Sequence, residues 1–288
     1  MSEANPEGAS FATCAEAVEW LTRLFPVGEK PGLERMEALM ARLGHPQRGL
    51  RFIHVAGTNG KGSTCAFLTR TLMRAGYNVG TYTSPYLETF ADRIRFNGEN
   101  IAEADLLQLA NRVKPVVDEL KQSPLQAPTM FEVATAIALL YYADVARPDY
   151  VVWETGMGGR LDATNIVTPV VSIITNVGHD HMERLGDTLA KVAFEKAGII
   201  KHGVPVVSAV EQPDAIEVIG DVARRRHSPL YLMGRDFAPS PAIIGQDGQT
   251  FHFRGPYRHI PDVTIRMNGA HQVKNAAVAL MALEALRH

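Results

Sequence analysis

The 288-residue sequence predicts an α/β fold: a mostly parallel sheet flanked by helices, P-loop-containing, with a small antiparallel subsheet near the C-terminus. Three observations predict it. Apolar runs without alternation, at 51–56, 150–154, 170–175 and 204–208, read as strands covered on both faces, the habit of parallel sheets. Segments with apolar residues three and four apart stand between them and read as helices. The order strand 51–56, glycine-rich turn, helix 62–75, strand 77–82 makes a βαβ unit, for which a right-handed crossover is expected.

Each element has a local reason. Residues 11–25 carry Ala15, Val18, Leu21 and Leu24 at helical spacing, with Thr13 and Glu16 placed for a capping box. A second helix at 33–43 puts Met36, Leu39, Met40 and Leu43 on one face, and Gly44 stops it. In the helix at 62–75, Phe67, Leu68, Thr71 and Leu72 face inward and Gly76 is the stop. A long loop at 84–101 precedes a helix at 103–120, and the proline-bounded stretch 123–128 separates that helix from one at 131–143. Further helices are read at 187–197 and 214–226. After residue 230 the segments shorten: 231–233, 250–254, 257–260 and 263–267, with turn signals at Gly234, Asp247-Gly248 and Gly255-Pro256, read as an antiparallel subsheet added to the main one. A last helix spans 272–286. The chain is thus expected to divide into N-terminal helices (1–48), a P-loop core (49–229), the subsheet (230–267) and a terminal helix (268–288).

Composition narrows the function classes. Apolar residues make up 46% and charged residues 21%, enough side chains for a sizeable core. The formal net charge of −2 leaves no general basic field, so no nucleic-acid or membrane partner is expected and anions must be held by local groups. Two cysteines, Cys14 and Cys65, make no disulfide framework. Residues 1–10 lack the features of a signal peptide, and the most apolar stretch, 134–143, is too short to span a bilayer, so a cytoplasmic protein is expected.

The chemistry-bearing signal is Gly57-Thr58-Asn59-Gly60-Lys61-Gly62-Ser63, followed by Thr64, between a strand and a helix. Its glycines let backbone N–H groups point into a nest for phosphate, the following helix offers its N-terminus, and Lys61 reaches toward β/γ-phosphates. The spacing departs from the common P-loop form, because the glycines are three apart and Gly62 stands before Ser63. A carboxylate, Glu154, directly follows the apolar Val151-Val152-Trp153, where a Mg2+-binding acid sits beside a P-loop. His179 and His181 have an H-x-H look, but no cysteine or third histidine is placed to complete a zinc set.

With these blocks the sequence resembles the Mur ligase superfamily and, within it, the folylpolyglutamate synthase/dihydrofolate synthase family. The likeness runs from about Leu33 to the end, through Thr83-Ser84-Pro85, Thr129-Met130-Phe131-Glu132, Glu154 with Gly156-Met157-Gly158-Gly159-Arg160-Leu161-Asp162-Ala163-Thr164-Asn165, Gly178-His179-Asp180-His181, Glu195-Lys196-Ala197-Gly198 and Asn268-Gly269-Ala270-His271-Gln272-Val273-Lys274-Asn275. The resemblance implies ATP and two Mg2+ ions as cofactors, with Ser84, Glu154, His181 and Lys196 at the metals, Lys196 being carbamylated. It implies His271 and Asn275 near the nucleotide, Asn275 at the adenine edge, and a catalytic set of Lys61, Glu154, His181 and Lys196. His179 is read as incidental.

The implied reaction is ATP-dependent amide formation. A folate or dihydropteroate carboxylate takes the γ-phosphoryl group, and L-glutamate displaces phosphate from the acyl phosphate. A monomer is expected. The family's further domain, with its DGAHNP-type motif and arginine, is missing, so this chain is expected to be truncated, to bind Mg-ATP weakly and to make little product alone. The alternatives are a non-catalytic nucleotide-binding module or another Mur-type amide ligase. A GTPase is excluded by the lack of N-K-x-D and D-x-x-G motifs.

Overall fold

The computed structural model describes residues 10–24, 32–179 and 182–288. Helices α1 (Cys14–Thr22) and α2 (Glu34–Arg42) come first. The last residue of the expected first helix, Phe25, lies outside the described residues. Thr13 caps α1 by accepting from the Glu16 amide, as expected, but the Glu16 carboxylate accepts from the Ala12 amide, one residue before the N-cap, so the reciprocal bond of the expected capping box is displaced.

The strands of the main sheet are β1 (Phe52–Ala56), β2 (Val79–Tyr82), β3 (Ile94–Phe96), β4 (Glu99–Asn100), β5 (Tyr150–Glu154), β6 (Pro169–Ile174), β7 (Val206–Ser208) and β8 (Leu230–Leu232). They pair in the order β4-β3-β2-β5-β1-β6-β7-β8. From β2 to β8 every pairing is parallel, and β3 and β4 add an antiparallel hairpin at one edge. The crossovers run through α3 (Lys61–Arg74), α4 (Glu103–Lys121), α5 (Met130–Leu140), the short α6 (Met182–Leu185), α7 (Leu189–Ala197) and α8 (Pro213–Arg225).

Alternate residues of the central strands serve opposite faces, as the pleat requires. Phe52, Val151 and Trp153 belong to a core with α1, α2, α4 and α5. Ile53, Val55, Val152, Val171 and Ile173 belong to a second core with α3 and the last helix, α9 (Ala270–Arg287). A third cluster joins Ala56, Ile174 and Val206 to α7 and α8. A strand buried on both sides has no polar face, which is why these runs show no alternation in the sequence.

The structure corrects the sequence in four places. Residues 231–233 were expected in the antiparallel subsheet, but Leu230–Leu232 pairs with β7 as the parallel edge of the main sheet. The subsheet itself is a separate four-stranded sheet of β9 (Ala238–Pro239), β10 (Ile243–Gly245), β11 (Gly248–Arg254) and β12 (His259–Ile265). Phe251, Phe253 and Ile265 pack it in the core shared with α9. The two segments expected at 257–260 and 263–267 are one strand, β12, with Pro261 and a positive φ of 54° at Asp262 where the pairing with β11 shifts. Finally, the loop at 84–101 holds a short helical turn, Phe90–Arg93, and the β3–β4 hairpin. Asp92 organises it by accepting from the Glu88 and Thr89 amides, bonds that hold its carboxyl well below the usual carboxylate range.

His54, in the middle of β1, is fully buried, and burial first and the Lys201 charge second push its pKa down to about 3. The ring is therefore neutral in the fold but titrates near 6.5 in the unfolded chain. Between those values the unfolded chain binds the proton that the fold refuses, so stability is full above about 6.5 and is lost as pH falls toward 3. Urea midpoints are expected to drop across this window in the wild type and less steeply in His54→Gln. Identical slopes in the two proteins would show that another group controls the acid response.

Candidate functional site: a P-loop cleft

Three parallel strands bring the site together. The C-terminal end of β1 runs into the glycine-rich turn, with β5 on one side and β6 on the other. The register pairs Val55 with Glu154 and Ala56 with Ile174, and the Thr155 and Thr175 amides donate to the Val55 and Ala56 carbonyls. Ligand sites of parallel α/β sheets lie at these strand ends.

The turn is packed too closely for side chains. A Cβ on Gly57 would collide with Thr175 Oγ1, and one on Gly60, whose φ is +81°, with Asn275 Oδ1 from α9. Lys61 opens α3 and folds its Nζ back to donate to the Gly57 carbonyl at 3.0 Å. The Thr64 amide donates to the Gly60 carbonyl, leaving the first-turn amides of α3 without intrahelical acceptors, as at any helix start. Thr64 is fully buried, and its hydroxyl finds no partner among the described residues. Asn59 and Gly62 are exposed or nearly so, while Ser63 is half-buried at the mouth.

Glu154 lies beside the turn, only 3% exposed. Its Oε2 accepts from the Ser84 amide at 3.0 Å. Burial pushes its pKa up to about 7, against the lowering effects of that bond and of the Lys61 charge. A buried carboxylate whose charge is so incompletely compensated suits a hard cation. Ser84 itself is half-buried and is joined to Pro85 by a cis peptide bond. Among the described residues no three His, Cys, Asp or Glu side chains converge; Ser84, whose amide bonds Glu154, also lines the cleft.

From Lys61 and Ser84 a cleft of about 770 Å³ extends past Phe131, Met157 and Asp162 to Glu195. Its apolar wall is built from the core: Tyr82 stacks on Trp153 with centroids 4.6 Å apart, and Phe131 lies 6.1 Å from Tyr82. Tyr82 donates to the Thr135 hydroxyl, which donates to the Phe131 carbonyl, so the start of α5 is fixed to the sheet. Asp162 shapes the loop after β5, accepting from the Met157 amide at 2.8 Å and from the Thr164 hydroxyl at 2.5 Å. Burial raises its pKa. Two guanidinium groups reach the same cleft. Arg35 pairs with Glu132 through Nε at 3.1 and 3.0 Å, and the almost fully buried Arg93 lies 5.0 Å from the Tyr86 ring centroid.

The expected site residues are only partly gathered. Gly57, Thr58, Asn59, Gly60, Lys61, Gly62, Ser63, Thr64, Ser84, Glu154 and Asn275 converge on the turn or its rim. Asn275 packs on the turn, at Gly60. His271 is exposed at the start of α9. Lys196 is 2% exposed at the end of α7, next to Glu195, which lines the cleft. His181 and Asp180 lie outside the described residues; His179 is exposed. Missed as individual site residues were Arg35 and Asn176, whose partners are distant in sequence, and Arg93, whose ring partners Tyr86 and Phe90 lie in the same loop; Asp162 was visible only inside its glycine-rich block.

Fold and loop together define a P-loop α/β protein. Residues 55–283 match the Mur ligase middle domain. The chain is 45% identical over 278 residues to the dihydrofolate synthase/folylpolyglutamate synthase of Bacillus subtilis strain 168, covering 95% of this chain and 64% of the relative. It is 37% identical over 247 residues to the folylpolyglutamate synthase of Lacticaseibacillus casei, covering 85% and 58%. Among solved structures, an FPGS–AMPPCP–folate complex superposes with a TM-score of 0.90 at 34% identity, covering 95% of this chain and 67% of that one. The Thermotoga maritima folylpolyglutamate synthase gives 0.88 at 39%, covering 96% and 62%. The chain belongs to the Mur ligase family and is homologous to its folylpolyglutamate synthases. It spans less than two thirds of the length of the curated relatives it matches.

The packing at Gly60 makes a direct test. Gly60→Ala forces a left-handed residue to carry a Cβ into Asn275, which is expected to cost about 1–2 kcal/mol of stability and to weaken nucleotide binding. Chemical denaturation and calorimetry would read the two effects; full nucleotide affinity in the variant would show that the turn tolerates displacement from α9.

Proposed function

We propose that this chain forms the ATP- and Mg2+-binding part of a ligase that joins L-glutamate to the carboxylate of a folate or dihydropteroate through an acyl phosphate. The observation that carries this reading is the junction of the P-loop with the buried Glu154 and an apolar-walled cleft starting at Lys61. Homology to enzymes of that activity supports it, as does the likeness to a folate- and AMPPCP-bearing structure.

In this reading the α3 N-terminus and the amides of the turn hold the phosphates, and Lys61 leaves the Gly57 carbonyl to neutralise the γ-phosphate. Ser84 and Glu154 would hold Mg2+, and His181 and a carbamylated Lys196 would hold a second ion. The metal supplies charge neutralisation between phosphates and the attacking carboxylate. Phe131, Met157 and Asp162 receive the pteridine side of the substrate, whose carboxylate is thereby directed toward Lys61. Aligning two anions is the main catalytic task, and the cations Lys61, Arg93 and Arg35 at one cleft serve it. Asn275 and His271 from α9 flank the nucleotide. The same reading keeps the protein a monomer in the cytoplasm.

Calorimetry of Mg-ATP binding tests this. Lys61→Ala removes one charge-assisted contact and is expected to weaken binding about 10- to 100-fold. Equal affinity in both proteins would remove the P-loop assignment. Glu154→Gln, which removes one cation, is expected to weaken ATP binding, and chelation with EDTA, which removes both, to weaken it by a larger factor in the wild type than in Glu154→Gln. If EDTA weakens binding to Glu154→Gln as much as to the wild type, Glu154 is not a ligand.

A further inference from the structure

The loop that follows β6 grips the P-loop from outside. Asn176 Oδ1 accepts from two successive P-loop amides, Thr58 at 3.1 Å and Asn59 at 2.8 Å. The Thr58 amide also donates to the Asn176 carbonyl at 3.2 Å. On either side the contact is doubled: Thr175 Oγ1 donates to the Asn59 carbonyl at 2.6 Å, and the Gly178 amide donates to Thr58 Oγ1 at 3.0 Å. Nothing in the chemistry of Asn176 itself is reactive. Its carboxamide oxygen supplies two acceptor lone pairs at one point, and the two amides it binds are the first two after Gly57.

We infer that Asn176 is the positioning residue of the P-loop, and that it divides the loop's amides into a structural pair and a ligand-binding set. Thr58 and Asn59 point outward to Asn176 and are spent on loop geometry. The amides of Gly60, Lys61, Gly62 and Ser63, at the start of α3, are left to face phosphate. With its first half anchored to β6 and Gly60 packed on Asn275, the turn is preorganised before any nucleotide arrives. The segment that does this, 175–178, leads directly into His179 and the residues where a metal ligand is proposed. The clasp therefore joins the phosphate nest to the segment that leads into that arm.

This inference rests on the nucleotide reading above, and the experiment separates the two. The 288-residue wild type, Asn176→Ala, Asn176→Asp and Lys61→Ala are titrated with Mg-ATP, and amide hydrogen exchange is followed by NMR. Losing two hydrogen bonds that hold the loop is expected to weaken Mg-ATP binding about tenfold in Asn176→Ala. The Asn59 amide, whose acceptor is the side chain, loses its protection in that variant and keeps it in Asn176→Asp, which retains the acceptor, while the Thr58 amide keeps its bond to the residue 176 carbonyl in both. Wild-type affinity in Asn176→Ala together with weakened binding in Lys61→Ala overturns the positioning role. Wild-type affinity in both variants overturns the nucleotide reading, and this inference with it. Should Asn176→Ala fail to fold, the wild type alone decides. Slow exchange at Thr58 and Asn59 with and without nucleotide, and nucleotide-dependent shifts only at residues 60–63, support the division; the reverse pattern overturns it.

Discussion

The structure depends on one ladder, the parallel pairing of β1 with β5 on one side and β6 on the other. Because parallel strands end at the same edge, this ladder delivers the glycine turn, Glu154 and Asn176 to neighbouring positions from segments about a hundred residues apart. The ladder is held by burial on both faces. Phe52 and Trp153 turn to one core while Ile53, Val55 and Val152 turn to the other, so a slip by one residue would expose or misplace every one of them. Register is thus fixed by apolar packing, and the polar site inherits its precision from that packing.

The site stores its polar groups in strained electrostatic company. Glu154 is nearly dehydrated, with one backbone amide and a nearby lysine for compensation; Asp162 is equally buried but accepts several hydrogen bonds. Two carboxylates a few residues apart therefore differ in what they lack. Asp162 is a structural group whose oxygens are already engaged, whereas Glu154 retains lone pairs and an energetic reason to welcome a cation. The arginines follow the same division. Arg35 is tied to Glu132 in a bidentate pair, but Arg93 is held through aromatic rings and keeps its Nε without a hydrogen-bond partner among the described residues.

Much of this was legible in the sequence because it is local. The Gly57–Ser63 turn and the apolar strand before Glu154 are written in consecutive residues, and the structure shows each in place. Asn176 was not legible, since its meaning lies in partners across the fold: it is an ordinary asparagine until Thr58 and Asn59 stand against it. The hairpin inside 84–101 escaped for a different reason. Its strands are two and three residues long, too short for any period to declare itself, and the capping of Phe90–Arg93 by Asp92 does the organising. Residues 231–233 misled because a short edge strand looks the same whether its neighbour runs parallel or antiparallel.

The helix α9 is buried nearly all round, because the main sheet, α3 and the small sheet all lean on it. It also presses Asn275 against Gly60. The glycine turn leaves the ribosome long before α9, so in a nascent chain Gly60 lacks its Asn275 neighbour until α9 follows and packs into the second core.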